Sequence, residues 1–351
     1  MKSNKIIILS IISVVLTSCL SENYRFITRV ERNGSCWREI HTVGSKNDSI
    51  SGLFPYNLSA GWNISQTDTL VGTYSLENKK IYKQNIKVGK KFNSVDELSN
   101  GLRSDMIFPI ANETLKKRFR WFYTYYAFTA VYPEVTEKGR VPMEQYLDKA
   151  EQKFYLQGDM SAYKGMNGWE LKEVLEDIEN RFMKWYQRSL YEESFDVILY
   201  YTENDFRSKL PAVKDSLFSI NEKQMKEQPS LNDVYAILDN YFVINYFSNL
   251  FFENEQEMQN MIDEQLKVAT TLLNYEIQYE LTMPGKLMAT NSYRQNDGAL
   301  VWKVNMFNFL ADDYTLTAES RTANMWVFVV TLLLIVFSGY CFIKNRKPRI
   351  Y

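Results

Sequence analysis

Tyr275-Glu276-Ile277-Gln278-Tyr279-Glu280-Leu281-Thr282-Met283 alternates apolar or aromatic with polar residues without a break, and Pro284-Gly285 ends the run. A period of two puts Tyr275, Ile277, Tyr279, Leu281 and Met283 on one face of a strand and the charged residues on the other. The start of the chain is written the same way. Tyr24, Phe26, Thr28 and Val30 alternate with Arg25, Arg29 and Glu31, Asn33-Gly34 supplies a turn, and Cys36 to Val43 reads as the return strand. A two-residue Asn-Gly hairpin turn needs positive φ at both central positions. Strands at both ends flank a helical middle. This predicts an α+β fold: an antiparallel sheet built from N- and C-terminal strands, with a helical insertion, plus one C-terminal transmembrane helix.

Between these strands the pattern predicts further elements. Gly44 to Thr69 is loose and rich in Asn, Ser and Gly, and Leu70–Leu76 and Ile81–Val88 read as strands. Ser94 with Glu97 has the spacing of a capping box opening a helix that runs through Leu102. Phe119 to Tyr132 is apolar or aromatic on both faces from Trp121 on, which predicts one central strand covered on both sides. Its aromatics read as core packing rather than a ligand platform. After Pro133 the period changes. Leu171, Leu175, Ile178, Phe182 and Trp185 form one helical stripe, and Met258, Ile262 and Leu266 another. Lys286–Asn291, the Asn296-Asp297-Gly298 turn and Leu300–Val304 read as a second hairpin, and Tyr314–Arg321 as a last strand. The expected division is a signal peptide at 1–18, a β-rich part at 19–141, the helical insertion at 142–273, C-terminal strands at 274–323, a transmembrane helix at 324–343 and a basic tail at 344–351.

The two ends carry the strongest signals. Lys2 and Lys5 precede an eleven-residue apolar run, Ile6 to Leu16, too short to span a bilayer core of about 30 Å. Met325 to Ile343 holds no charged residue, and Lys344, Arg346, Lys347 and Arg349 follow it at once. Such a segment inserts favourably, Trp326 and Tyr340 fall at belt positions, and the basic flank predicts a cytoplasmic tail.

Leu16-Thr17-Ser18-Cys19 resembles a bacterial lipobox. The resemblance implies cleavage before Cys19 and lipidation of its sulfur, with acyl chains such as palmitate. Both anchors then place the domain in the periplasm, on the inner membrane. The stretch from Tyr275 to Phe328 also resembles the tail of uncharacterised Gram-negative membrane lipoproteins, and loosely that of LppM-like lipoproteins. Met283-Pro284-Gly285, Asp297-Gly298-Ala299-Leu300-Val301-Trp302 and Tyr314-Thr315-Leu316-Thr317-Ala318 carry this likeness. It implies lipid contact and transfers no active site.

Composition narrows the partners. The formal net charge is −1, but without Lys2, Lys5, Lys344, Arg346, Lys347 and Arg349 the rest holds 35 basic against 42 acidic residues. This acidic balance argues against nucleic acid or anionic headgroups as main partners. With Cys19 lipidated and Cys341 in the membrane helix, Cys36 stands alone outside, a small hydrophobe in a strand. The single histidine, His41, reads as an ordinary strand residue; no zinc spacing, phosphate loop or nucleophile elbow is present. Glu192-Glu193, Asp312-Asp313 and the Glu173–Glu179 run read as solvated faces. No catalytic, cofactor or metal residue is assigned. The expected role is a non-enzymatic periplasmic binding or envelope-assembly component recognising protein or lipid; the alternative is a carboxylate-dependent envelope hydrolase.

Overall fold

A computed structural model describes residues 22–45, 57–58, 60–74, 79–103, 110–135, 141–221, 231–273 and 275–344. The signal-peptide stretch 1–18, Cys19 and the basic tail beyond Lys344 lie outside the described residues. The architecture is mixed α+β, and the chain divides into two units. One takes Glu22–Pro133, Glu276–Val304 and the chain from Thr315 on; the other takes Glu134–Tyr275 and Asn305–Tyr314.

The β unit holds thirteen strands among the described residues: β1 (Glu22–Val30), β2 (Cys36–Ser45), β3 (Asn57–Leu58), β4 (Asn63–Tyr74), β5 (Lys79–Phe92), β6 (Leu102–Arg103), β7 (Asn112–Arg120), β8 (Tyr123–Tyr132), β9 (Tyr275–Thr282), β10 (Lys286–Thr290), β11 (Arg294–Asn296), β12 (Ala299–Asn305) and β13 (Tyr314–Ala323). Seven form one sheet in the order β11-β12-β9-β1-β2-β5-β4, four form a second in the order β10-β13-β8-β7, and β3 pairs with β6. N-terminal β1 and C-terminal β9 are neighbours in the large sheet. The alternation explains its buried face: Tyr24, Phe26, Thr28 and Val30 on β1 meet Ile277, Tyr279 and Leu281 on β9, all nearly inaccessible. Side chains of the smaller sheet close the core, with the Phe128 and Tyr279 rings 6.3 Å apart.

Several details differ from the sequence reading. Only Gly34 in the first turn has positive φ, 100°. The Gly34 amide donates to the Glu31 carbonyl and the Glu31 amide to Ser35, which makes a three-residue loop rather than an Asn-Gly two-residue turn. The capping carboxylate of Glu97 accepts from the Asn93 amide, one residue earlier than Ser94, and opens α1 (Asp96–Gly101). The stretch from Asn63 on, read as loose, is strand β4 paired along β5. β10 pairs with β13 in the smaller sheet, so the hairpin at Asp297-Gly298 joins β11 and β12 instead. Gly285 is indispensable there: φ is 84°, and a Cβ would lie 2.2 Å from the Arg321 carbonyl oxygen.

Phe119 to Tyr132 is two strands. β7 and β8 pair from Asn112↔Val131 to Arg120↔Tyr123, and Trp121-Phe122 turns between them. Nor is β8 covered on both sides. Thr124, Tyr126, Phe128, Ala130 and Tyr132 are buried while the intervening side chains are half-buried or exposed. Uniformly apolar writing hides the period-two burial that the sheet imposes.

The helical unit contains α2 (Lys149–Gln157), α3 (Gly168–Tyr201), α4 (Asn204–Arg207), α5 (Leu210–Asn221), α6 (Leu231–Phe242) and α7 (Tyr246–Leu273). Asp148 and Asn167 cap α2 and α3 with reciprocal bonds to Glu151 and Glu170, and Gly158 ends α2 at φ 71°. The first half of α3 buries Ile178, Phe182 and Trp185 against Phe154, Leu156, Leu310 and Ala311. Its second half buries Tyr191, Phe195 and Ile198 against α5, α6 and α7. In the stripes, Met258 and Ile262 are buried but Leu175 is exposed.

Helix α8 (Met325–Lys344) follows β13 and belongs to the β unit. Among the described residues it is the one helix long and apolar enough to cross a membrane. Only Val327 along it is buried.

Candidate functional site

The residues singled out by the sequence are dispersed. Cys19 lies outside the described residues. Cys36 opens β2 fully buried, its thiol 3.7 Å from the Ser94 carbonyl, and burial pushes the thiol up to about 12. His41 sits on the outer face of the large sheet, 3.0 Å from Glu39, which also accepts from the Trp37 indole. Glu192 is not on a solvated face. It is buried and bonded to both Arg188 and Lys214. Helix α3 turns it inward because Tyr191, Phe195 and Ile198 set the adjacent stripe. Asp312 pairs with Lys153 at 2.9 Å, which holds its carboxyl below the usual range, and Asp313 accepts from the Glu134 amide. No group of three or more potential metal ligands occurs among the described residues.

A buried charge cluster was not visible in the sequence. The Arg38 guanidinium, 1% exposed, donates to Glu113 at 2.6 Å, to Thr28 at 2.8 Å and to the Tyr279 hydroxyl at 2.9 Å. It lies over the Phe26 and Tyr279 rings at 5.5 and 5.2 Å. Burial opposes the charge, but Glu113 and the Tyr279 and Tyr132 oxygens together offset it and keep the arginine above its ordinary pKa. Burial raises the Tyr279 phenol well above its usual value. Every member has a partner, so the cluster joins β1, β2, β7 and β9 and presents no reactive group.

The feature that looks outward is the tip of the β7–β8 hairpin. Trp121 occupies the first central position of its two-residue turn at φ 20°, where glycine is usual. The side chain at this position is used: the Trp121 indole donates to Thr331 Oγ1 at 3.1 Å, in the second turn of α8. Phe119 stacks on Trp326 with centroids 6.2 Å apart, and Phe122 lies 4.8 Å from Phe328. Asn324, just before α8, holds the turn. Its amide hydrogen goes to the Phe122 carbonyl at 2.9 Å, its side-chain amide donates to Trp121 at 2.9 Å, and its side-chain oxygen accepts from Thr124 at 2.8 Å. Phe119 and Trp121 nevertheless remain half exposed. The aromatic run thus splits between core (Tyr126, Phe128, Tyr132) and a surface group at the start of α8.

No family model, curated protein or solved structure matches the chain. The functional reading therefore rests on this geometry and on the sequence.

Proposed function

We propose that the chain is a membrane-anchored, non-enzymatic binding or envelope-assembly component that recognises protein or lipid at the membrane surface. The observation that carries this reading is the packing of the β7–β8 tip along the first two turns of the apolar, exposed α8. With α8 as a bilayer span, Phe119, Trp121, Phe122 and Trp326 form a half-exposed aromatic group at the boundary of the leaflet, where tryptophan is favoured. The short apolar run before Leu16-Thr17-Ser18-Cys19 supports a cleaved signal peptide and lipidation of Cys19. The basic residues from Lys344 on support a cytoplasmic C-terminus, which puts residues 19–323 in the periplasm on the inner membrane. One lipid anchor beside a spanning helix adds little retention, so its effect is to hold the N-terminus at the same surface.

Native mass spectrometry of the protein extracted from its own membranes in mild detergent tests this. A chain starting at acylated Cys19 with a retained subunit or phospholipid is the expected result. A bare monomer without acyl mass, recovered from the soluble fraction, would contradict it.

A further inference from the structure

We infer that the outer face of the four-stranded sheet, beside the hairpin tip, binds the anionic phosphodiester headgroups of the leaflet that α8 enters; the inference rests on the membrane reading above. Cross-strand register assigns the face. Arg120 pairs with Tyr123, Arg118 with Tyr125 and Lys116 with Ala127, and paired residues share a face, opposite to the buried Tyr126 and Phe128. Lys116, Arg118 and Arg120 are exposed, and none is in an ion pair among the described residues. Together with Tyr125, Ala127 and Glu319 they line a shallow groove of about 480 Å³. Glu319 is its one lining carboxylate. On the neighbouring strand the Arg321 guanidinium lies 4.6 Å over the Tyr123 ring.

Position relative to α8 selects the occupant. Thr331 is six residues beyond Met325, so the Trp121 indole reaches about 9 Å along the helix. Phe119 is level with Trp326. Arg120 lies between these two aromatics in sequence, and Arg118 and Lys116 step away from them by about 6.6 Å each. The headgroup layer is about 5–7 Å thick on each side of the hydrocarbon core. The row therefore starts at the inner edge of the headgroup layer, beside the first turns of α8, and rises through it, and long cationic side chains turn their heads to that layer while their stems stay on apolar surface. Unpaired guanidinium groups there find bidentate phosphate acceptors. This local basic face runs against the acidic balance of the chain as a whole, which is why composition alone argues for the opposite partner.

The test uses the full chain in nanodiscs of equal phosphatidylcholine and phosphatidylglycerol, with retained lipids counted by native mass spectrometry. Phosphatidylglycerol is expected to be enriched about fivefold per engaged basic side chain at low salt, with the preference fading as salt rises. Lys116→Gln/Arg118→Gln/Arg120→Gln should abolish the preference, and Glu319→Gln, which removes the one repelling carboxylate, should increase it. Equal retention of both lipids by the unaltered chain, or a preference that the triple variant keeps, overturns the inference and leaves the membrane reading standing. Displacement of phosphatidylglycerol by inorganic phosphate at constant ionic strength would assign the face to a soluble phosphate and overturn it too. A chain that enters neither phosphatidylcholine nor mixed discs removes the membrane reading itself.

Discussion

Each unit holds an arginine–glutamate pair whose glutamate is buried, and the two pairs are built on opposite plans. Arg38 and Glu113 in the β unit are 1% and 4% exposed and are closed in by Thr28, Tyr279 and two ring faces. In the helical unit Arg188 pairs with Glu192 one turn along α3, but it also reaches Asp215, which is 80% exposed, while Lys214 takes the other oxygen of Glu192. The Arg188 guanidinium covers the Phe218 ring at 4.6 Å. The first pair is closed off from water. The second is a chain of alternating charges that runs out to solvent. The sheet pair locks strands distant in sequence; the helical one staples near neighbours.

The largest expected effect follows from removing half of the closed pair. Glu113→Gln leaves a buried guanidinium without its counter-charge and should destabilise the β unit by about 3–5 kcal/mol. Arg38→Met combined with Glu113→Leu removes both charges and should return most of that loss. Cys36 reports the opening. Its thiol is buried, with a pKa near 12, so an alkylating agent reaches a thiolate only when the sheet opens. In a Cys341→Ser background, alkylation of Cys36 should be fast in Glu113→Gln and slow in the double variant. Equal slow labelling in both would show that the pair does not hold the sheet.

That contrast also marks what the sequence reveals. The alternation across Ile277–Leu281 and that of Tyr24–Val30 state which apolar side chains face inward, and the strands follow. Long-range partnership is not written locally. Arg38 and Glu113 are separated by 75 positions, and each reads as an ordinary polar residue of its own strand. Glu192 fails for a different reason: beside Glu193, on a helix rich in acids, only the direction of the apolar stripe reveals that it points inward. Phe119–Tyr132 misleads because Trp121 occupies a turn position that favours glycine. The tip is paired with α8, which begins about 200 residues later, so nothing nearby in the sequence explains its aromatics.

A smaller effect is expected at the open cluster. Glu192→Gln leaves Arg188 with Asp215 and leaves Lys214 close to water, so the cost should be about 1–2 kcal/mol, well under that of Glu113→Gln. Hydrogen exchange of the α3 and α5 amides measures it. A loss equal to that of Glu113→Gln would erase the distinction between closed and open pairs. Asn324→Ala belongs at a similar level, since it deletes side-chain bonds to Trp121 and Thr124, each with a net contribution of about 1 kcal/mol. Its signature should be local, with faster exchange at residues 120–124.

The smallest effect concerns a third pair, exposed enough to titrate. Glu151 closes the cap of α2 by accepting from the Asp148 amide at 2.8 Å, and Arg181 of α3 donates to both of its oxygens. The Arg181 hydrogen bonds, opposed by partial desolvation, hold the Glu151 carboxyl below its usual value. A lowered folded pKa means that the unfolded chain takes up the proton first as acid is added. The stabilisation is therefore complete above the ordinary glutamate pKa of about 4.3 and is lost as pH falls through the lowered folded value. Thermal or denaturant unfolding of the helical unit should show a step in that acid window, and Arg181→Met should shrink it while leaving stability at neutral pH reduced by about 1 kcal/mol or less. An unchanged acid step in Arg181→Met would trace it to other carboxylates, such as Asp312 beside Lys153, and would leave the α2 cap to Asp148 alone.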